Sequence, residues 1–129
     1  MGLAPSAVLE RIRKLETRGV IRGYTAQIDP AALDLGMLAF VAVRSAEPPG
    51  DDSVARQLAS LPEVLEVHHV AGEDCYLVKI RTRNAEQLGS MLRKGIGQIA
   101  GVQSTRTTIV LGTIKETPRI AVPRPADAA

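Results

Sequence analysis

Six residues near the front of the chain have the types and the spacing to grip a nucleic acid. Ser6, Ala7, Glu10, Arg11, Arg13 and Lys14 lie largely outside the apolar positions Val8, Leu9, Ile12 and Leu15, which recur at helical spacing. A hydroxyl can reach a base or a phosphate. Guanidinium groups bind guanine edges bidentately or clamp phosphates, and an ammonium suits phosphate as a point charge. An amphipathic surface helix with a solvated basic face carries the same pattern, so spacing alone leaves both readings open.

Other constellations lead nowhere. His68 and His69 are neighbours on an expected strand, so they face opposite ways and do not chelate one metal together. Cys75 is the single cysteine, which leaves no zinc site of familiar spacing and no internal disulfide. Ser, His and Asp residues do not group as a triad, and there is no nucleophile elbow or glycine-rich phosphate loop. The paired carboxylates Asp51-Asp52 and Glu73-Asp74 fall in turns, where solvated loops are the usual reading. The residues therefore suggest no enzyme, no cofactor and no metal.

These side chains must be carried by something. A length of 129 residues suits one compact domain with a short appendage, and 45% apolar residues are enough for a core. With Phe40, Tyr24 and Tyr76 the only aromatics, aliphatic side chains must build it. The lone cysteine fits a reducing compartment, and no run of 18 apolar residues suggests a membrane span. A cytoplasmic protein is expected. The net charge of +2 is too small to argue for nucleic acid. It is unevenly spread: residues 1–30 carry five Lys/Arg against three Asp/Glu, residues 31–80 three against eight, and residues 81–129 eight against three.

Pro5 suits a first helical turn and Gly19 a stop, with Arg18 against the helix dipole. An extended stretch over 20–28 follows, then a short turn over 31–35 ending at Gly36. Strands are expected at 37–43, 64–70, 75–82 and 102–111, and helices at 53–60 and 85–97. Strict alternation on the second strand puts Val64, Glu66, His68 and Val70 on one face and Leu65, Val67 and His69 on the other. The order β-α-β-β-α-β predicts an α+β, ferredoxin-like unit: an antiparallel sheet with two helices on one face. Two helices leave sheet surface uncovered, so a symmetric homodimer is expected, with residues 21–28 pairing across it. The proline-bearing tail from Pro118 is expected to be loose.

Residues 2–29 read as the second half of a helix-turn-helix: a turn, a basic-faced helix and a short strand leading away. Several segments together resemble the Lrp/AsnC (feast/famine, leucine-responsive) transcriptional regulators. Gly2-Leu3-Ala4-Pro5-Ser6-Ala7-Val8-Leu9 resembles the turn and the start of the recognition helix. Arg11 to Glu16, with Gly19-Val20-Ile21-Arg22-Gly23-Tyr24, resembles the rest of that helix and the wing. Glu66 to Asp74, with Tyr76-Leu77-Val78-Lys79, resembles the effector-domain hairpin. Gly101-Val102 and Thr105-Arg106-Thr107 resemble the last strand.

The resemblance implies a winged helix-turn-helix followed by an ACT-like effector domain. In this chain those become a truncated helix-turn-helix with linker strand over 1–30, a ligand-sensing and oligomerisation domain over 36–115, and a tail over 118–129. It implies DNA and an amino-acid effector as partners, with homodimers assembling into larger rings, often octamers. The six helix residues above become the DNA-binding set. The effector set becomes Gly72, Glu73, Asp74, Cys75 and Tyr76, with His69, Thr107 and Thr108 beside them. Backbone N–H groups of the glycine turn would hold a carboxylate and an acidic side chain the ammonium. Many relatives have Asp where this chain has Cys75, and a thiol supplies no charge at neutral pH unless its pKa is well depressed. An altered effector preference, or a weak response to common amino acids, is expected. Family members carry two further helices before the position of Met1, where valine is common. A GUG valine codon can also start translation and is then read as Met. The expectation is a start assigned too far downstream or a shortened gene. The alternative to a DNA-binding regulator is a stand-alone amino-acid-sensing oligomerisation module that does not itself bind DNA.

Overall fold

The computed structural model describes residues 5–123. The turn expected at 2–4 and the end of the tail fall outside the described residues. Helix α1, Pro5–Thr17, closes as expected at Gly19. There the Gly19 and Val20 amides donate back to the Glu16 and Leu15 carbonyls at 3.0 and 2.9 Å, the paired closing bonds of a Schellman turn. Residues 22–29, expected to pair with a second subunit, join no ladder among the described residues and are exposed throughout. A 3-10 turn, Pro30–Leu33, is capped by the Asp29 carboxylate and ends at Asp34 in the left-handed region, two residues before the glycine expected to end it.

The remaining elements are β1 (Met37–Ser45), α2 (Ser53–Ala59), β2 (Val64–His69), β3 (Tyr76–Thr82), α3 (Ala85–Ser90) and β4 (Val102–Ile109). The four strands form one antiparallel sheet in the order β2-β3-β1-β4. The β-α-β-β-α-β order is as expected. Val41 and Val43 of β1 meet Val78 and Tyr76 of β3 and pack with Val54 and Leu58 of α2 and with Met91, Ile96 and Ile99 behind α3. Val41, Val78, Leu58 and Ile96 are wholly buried. Each such side chain contributes about 1.5–3 kcal/mol relative to exposure.

Three local departures have physical causes. A bulge at Leu65 shifts the register so that Val64 faces Ile80 while Glu66 faces Lys79. Val64 and Val67 therefore both pack on the core and Leu65 is exposed, against the simple alternation. The second long helix keeps α-helical bonding only to Ser90, then widens into a π turn over Met91–Gly95 and tightens into a 3-10 turn over Ile96–Gln98. The changes of pitch bring Met91, Ile96 and Ile99 all onto the core. The last strand stops at Ile109, so the expected extension to residue 111 is absent, and Leu111 and Ile114 stand fully exposed.

Candidate functional site

Two regions carry the sequence-derived candidates. On α1, Ser6, Glu10 and Arg13 recur at i, i+4 and i+7 and share one face with Lys14, while Arg11 sits toward its edge. All five are exposed and Ala7 is half-buried. No residue of α1 is buried, and Val8, Leu9 and Leu15 remain open to solvent. The helix is thus built and capped, but its apolar stripe has no cover among the described residues.

The second region is a cleft of about 420 Å³ under the β2–β3 turn, on the sheet face away from the helices. Its floor is apolar, made by Ala42 of β1, Leu77 of β3 and Val70. Gly72, Glu73, Asp74 and Tyr76 line it, four of the eight expected effector residues. Gly72 holds φ at 136°, a conformation that side-chain-bearing residues rarely adopt, and so lets the chain reverse over the cleft.

The other four do not line the cleft. Cys75 turns toward β1, with its Sγ 3.7 Å from the Ser45 carbonyl oxygen and its side chain against the core. The His69 ring lies 5.3 Å from that of Tyr76. Thr107 and Thr108 pair with Val41 and Phe40 of β1 and so point to opposite faces; they cannot share one cleft.

Sequence reasoning missed two residues here. Arg106, quoted only as part of a strand, extends over the floor and its Nη2 lies 2.5 Å from Asp74 Oδ2. The partners are 32 residues apart, and only the β2-β3-β1-β4 order brings them together. Glu47, read as a loop residue, accepts a 2.6 Å bond from the Tyr76 hydroxyl and a 3.1 Å bond from the Val54 amide. Partial burial pushes its carboxyl up, but the bonds from Tyr76, Val54 and Ser45 outweigh this and hold it below the usual glutamate value. The same contact, helped by burial, pushes Tyr76 up to about 12. Tyr76 thus keeps its ring in the core on the helix side of the sheet, with its hydroxyl committed to Glu47.

A larger hollow, about 820 Å³, lies between residues 27–35 and the outer face of β3. Ile28, Leu33, Leu35 and Leu65 edge it, and Lys79, Arg81 and Glu116 lie within it. Lys79 Nζ sits 2.5 Å from Glu116 and 3.3 Å from Glu66, and Arg81 is 3.1 Å from Glu116. The Glu116 contact chiefly raises the Lys79 pKa. These charges satisfy one another, which marks the hollow as a tied-down strap of chain more than a waiting site. Among the described residues no group of three or more His, Cys, Asp or Glu is placed to hold a metal ion.

Residues 38–120 match the Lrp/AsnC ligand binding domain. The chain belongs to the Lrp/AsnC family. It is 47% identical over 121 residues to the HTH-type transcriptional regulator FL11 of Pyrococcus horikoshii, spanning 94% of this chain and 79% of that protein. The feast or famine regulatory protein of Mycobacterium tuberculosis, solved with L-methionine, superposes with a TM-score of 0.85 at 38% identity, covering 95% of this chain and 81% of that one. A transcriptional regulator of Neisseria meningitidis, also an L-methionine complex, gives 0.86 at 28% identity over 92% and 78%. The α+β effector architecture is common to this Lrp/AsnC chain and its solved relatives.

Proposed function

We propose that this Lrp/AsnC chain is a transcriptional regulator that contacts DNA through α1 and responds to an amino acid, or a related small molecule, at the β2–β3 cleft. The cleft carries the reading. Inside a matched ligand-binding domain, a glycine turn closes over an apolar floor with two carboxylates, Glu73 and Asp74, and one guanidinium, Arg106, at its rim. Two solved relatives, each complexed with L-methionine, support the ligand class. Residues 1–30 form the DNA-contacting appendage and 36–115 the sensing and assembly domain. The outer sheet face, with Phe40 and Leu77 on it, pairs with a second copy, and dimers build larger rings. The site is one for binding, and no reaction is assigned to it. No described helix is long and apolar enough to cross a membrane. As a regulator acting on DNA, the protein would work in the cytoplasm.

The test is a salt-dependent gel shift on promoter DNA, with amino-acid binding followed by calorimetry. Specific binding that weakens at least tenfold when Arg11 and Arg13 are both changed to Ala supports the regulator. One observation favours a second reading, a sensing and oligomerisation module without DNA contact: the apolar stripe of α1 is uncovered, and helix readers need support behind them. Amino-acid binding with no shift of any DNA would select that reading.

A further inference from the structure

We propose that Lys79 and Arg81 form a carboxylate cradle in the larger hollow, which Glu116 fills as a resident stand-in. A monocarboxylic acid with a hydrocarbon body displaces Glu116 and lies in the hollow. The site is separate from the β2–β3 cleft and does not depend on how that cleft is read.

The cradle stands on alternate residues of β3, so both cations point to the outer face of the sheet. Their side chains are only 15% and 13% exposed. Each takes one oxygen of the Glu116 carboxylate: Lys79 Nζ donates to Oε2 at 2.5 Å and Arg81 Nη2 to Oε1 at 3.1 Å. The Lys79 bond chiefly holds the Glu116 carboxyl below the usual glutamate value, so the cradle favours an ionised acid. Little else holds the segment that brings Glu116. Beyond the Val110 amide, which donates to the Leu38 carbonyl, no backbone hydrogen bond ties residues 111–118 to the sheet among the described residues. One carboxylate is the strap's tie, and its release frees the segment.

Charge balance selects the ligand's head group. Lys79, Arg81 and Arg83 line the hollow together with Glu63, Glu66 and Glu116. Glu66 also reaches Lys79 at 3.3 Å and the His68 ring at 2.8 Å. Exchange of Glu116 for another monocarboxylate leaves this sum unchanged. An amine, or the ammonium of a zwitterion, would set a like charge beside two nearly buried cations, and a neutral group would leave Arg81 without its carboxylate. The hydrocarbon body supplies the driving force. A tethered Glu116 competes at an effective concentration of about millimolar, which a short acid does not overcome. Ile28, Leu33 and Leu65 edge the hollow and are 63%, 57% and 54% exposed, so an aliphatic chain laid against them removes that surface from water. The volume of about 820 Å³ falls in the range usual for small-molecule sites, roughly 300–1,000 Å³. Leu65 belongs to β2, an edge strand, so the hollow extends to the rim of the sheet.

The experiment is calorimetric titration of the full chain at low salt with octanoate, octanol, octylamine and butanoate. The wild type should bind octanoate about tenfold more tightly than octanol, as charge-assisted contacts imply, and octylamine more weakly still. Butanoate should bind at least about tenfold more weakly than octanoate, since each buried methylene is worth about fourfold. Glu116→Ala, which removes the resident competitor, should tighten octanoate about tenfold. Arg81→Gln should bring octanoate down toward octanol. A merely structural clasp would leave octanoate no tighter in Glu116→Ala than in the parent; that result, equal affinities for octanoate and octanol in the parent, or no binding of octanoate by either chain overturns the proposal. Octanoate binding abolished by saturating L-methionine would place the acid in the β2–β3 cleft and overturn it too. Failure of L-methionine itself to bind would count against the effector reading and leave this site standing. Circular-dichroism melts confirm that both variants are folded.

Discussion

The Tyr76 hydroxyl bonds to the Glu47 carboxylate across 29 residues of sequence, and the same carboxylate caps α2 through the Val54 amide. The residue at the helix's own N-cap position, Asp52, makes no side-chain cap bond. One acidic group thus joins the strand that follows the β2–β3 turn to the helix that covers the sheet. Glu47→Ala leaves a nearly buried hydroxyl and a helix N–H without their acceptor and should cost about 1–3 kcal/mol in urea unfolding. Tyr76→Phe, which removes only the donor, should cost less.

The pH dependence of the same contact has a definite sign. The folded carboxyl of Glu47 lies below the ordinary 4.5, so its contribution is complete above that value and is lost as pH falls through the folded value. Tyr76 is shifted the other way, from 10.0 to about 12, so its contribution is complete below 10 and is lost as pH rises toward about 12. Ultraviolet titration of Tyr24→Phe, which leaves Tyr76 as the only tyrosine, should show an ionisation near 12. Adding Glu47→Gln should bring it down toward 10. A Tyr76 ionisation already at 10 with Glu47 intact would refute the contact.

Two glycines in one helical segment should respond oppositely to alanine. A Cβ at Gly97 would sit 2.5 Å from the Leu92 carbonyl oxygen, a backbone atom that cannot step aside without undoing the π turn. At Gly89 the nearest obstacle is the tip of the Arg93 side chain at 3.2 Å, which can swing away. Gly97→Ala should therefore destabilise by about 1–3 kcal/mol, while Gly89→Ala, in the α-helical part, should stabilise by about 0.5–1 kcal/mol. Thermal melts of the two variants decide it; equal shifts would mean that the helix is regular throughout.

What the chain made legible was whatever depends on near neighbours. The i, i+4, i+7 apolar spacing of Val8, Ile12 and Leu15 and the glycine at 19 placed α1 and its end. The strand and helix order followed from local patterns. The bulge at Leu65 did not, because the alternation Val64 to Val70 reads equally well without an extra residue, and only the β3 partner reveals the slip. Arg106 and Glu47 escaped for a related reason. Each acquires its role from a residue about thirty positions away, at distances set by sheet order that no local pattern contains. The sequence also grouped Thr107 with Thr108, although strand pleating separates adjacent side chains.

The bulge makes its own prediction. Under strict alternation Leu65 and Val67 share a face and should be equally sensitive to truncation. With the bulge, Val67 packs on the core while Leu65 is 54% exposed. Val67→Ala should cost about 1–2 kcal/mol, and Leu65→Ala should stay within about 0.5 kcal/mol. Equal losses in chemical denaturation would restore the simple strand.

The proposed dimer can be separated from the fold because they use opposite faces of one sheet. Val41, Val43, Val78 and Ile80 point to the helices and are buried within the chain. Phe40 lies opposite Lys79, and Leu77 opposite Ala42, on the other face, where no α-helix packs among the described residues. Leu77 is 36% exposed, and Leu111 and Ile114, just beyond β4, are wholly so. A charge on the outer face costs the isolated chain little, since it stays in water there. In a sheet-to-sheet dimer the same charge is buried without a partner, at a cost of several kcal/mol for each subunit. Leu77→Asp should therefore keep its far-ultraviolet spectrum and lose association, running as a monomer by light scattering at micromolar concentration where the parent chain is a dimer or larger. Arg81, on the same face but already tied to Glu116, serves as a control, since Arg81→Lys keeps the charge and should leave assembly intact. A parent chain that is itself monomeric at that concentration would rule out the outer face as a dimer surface.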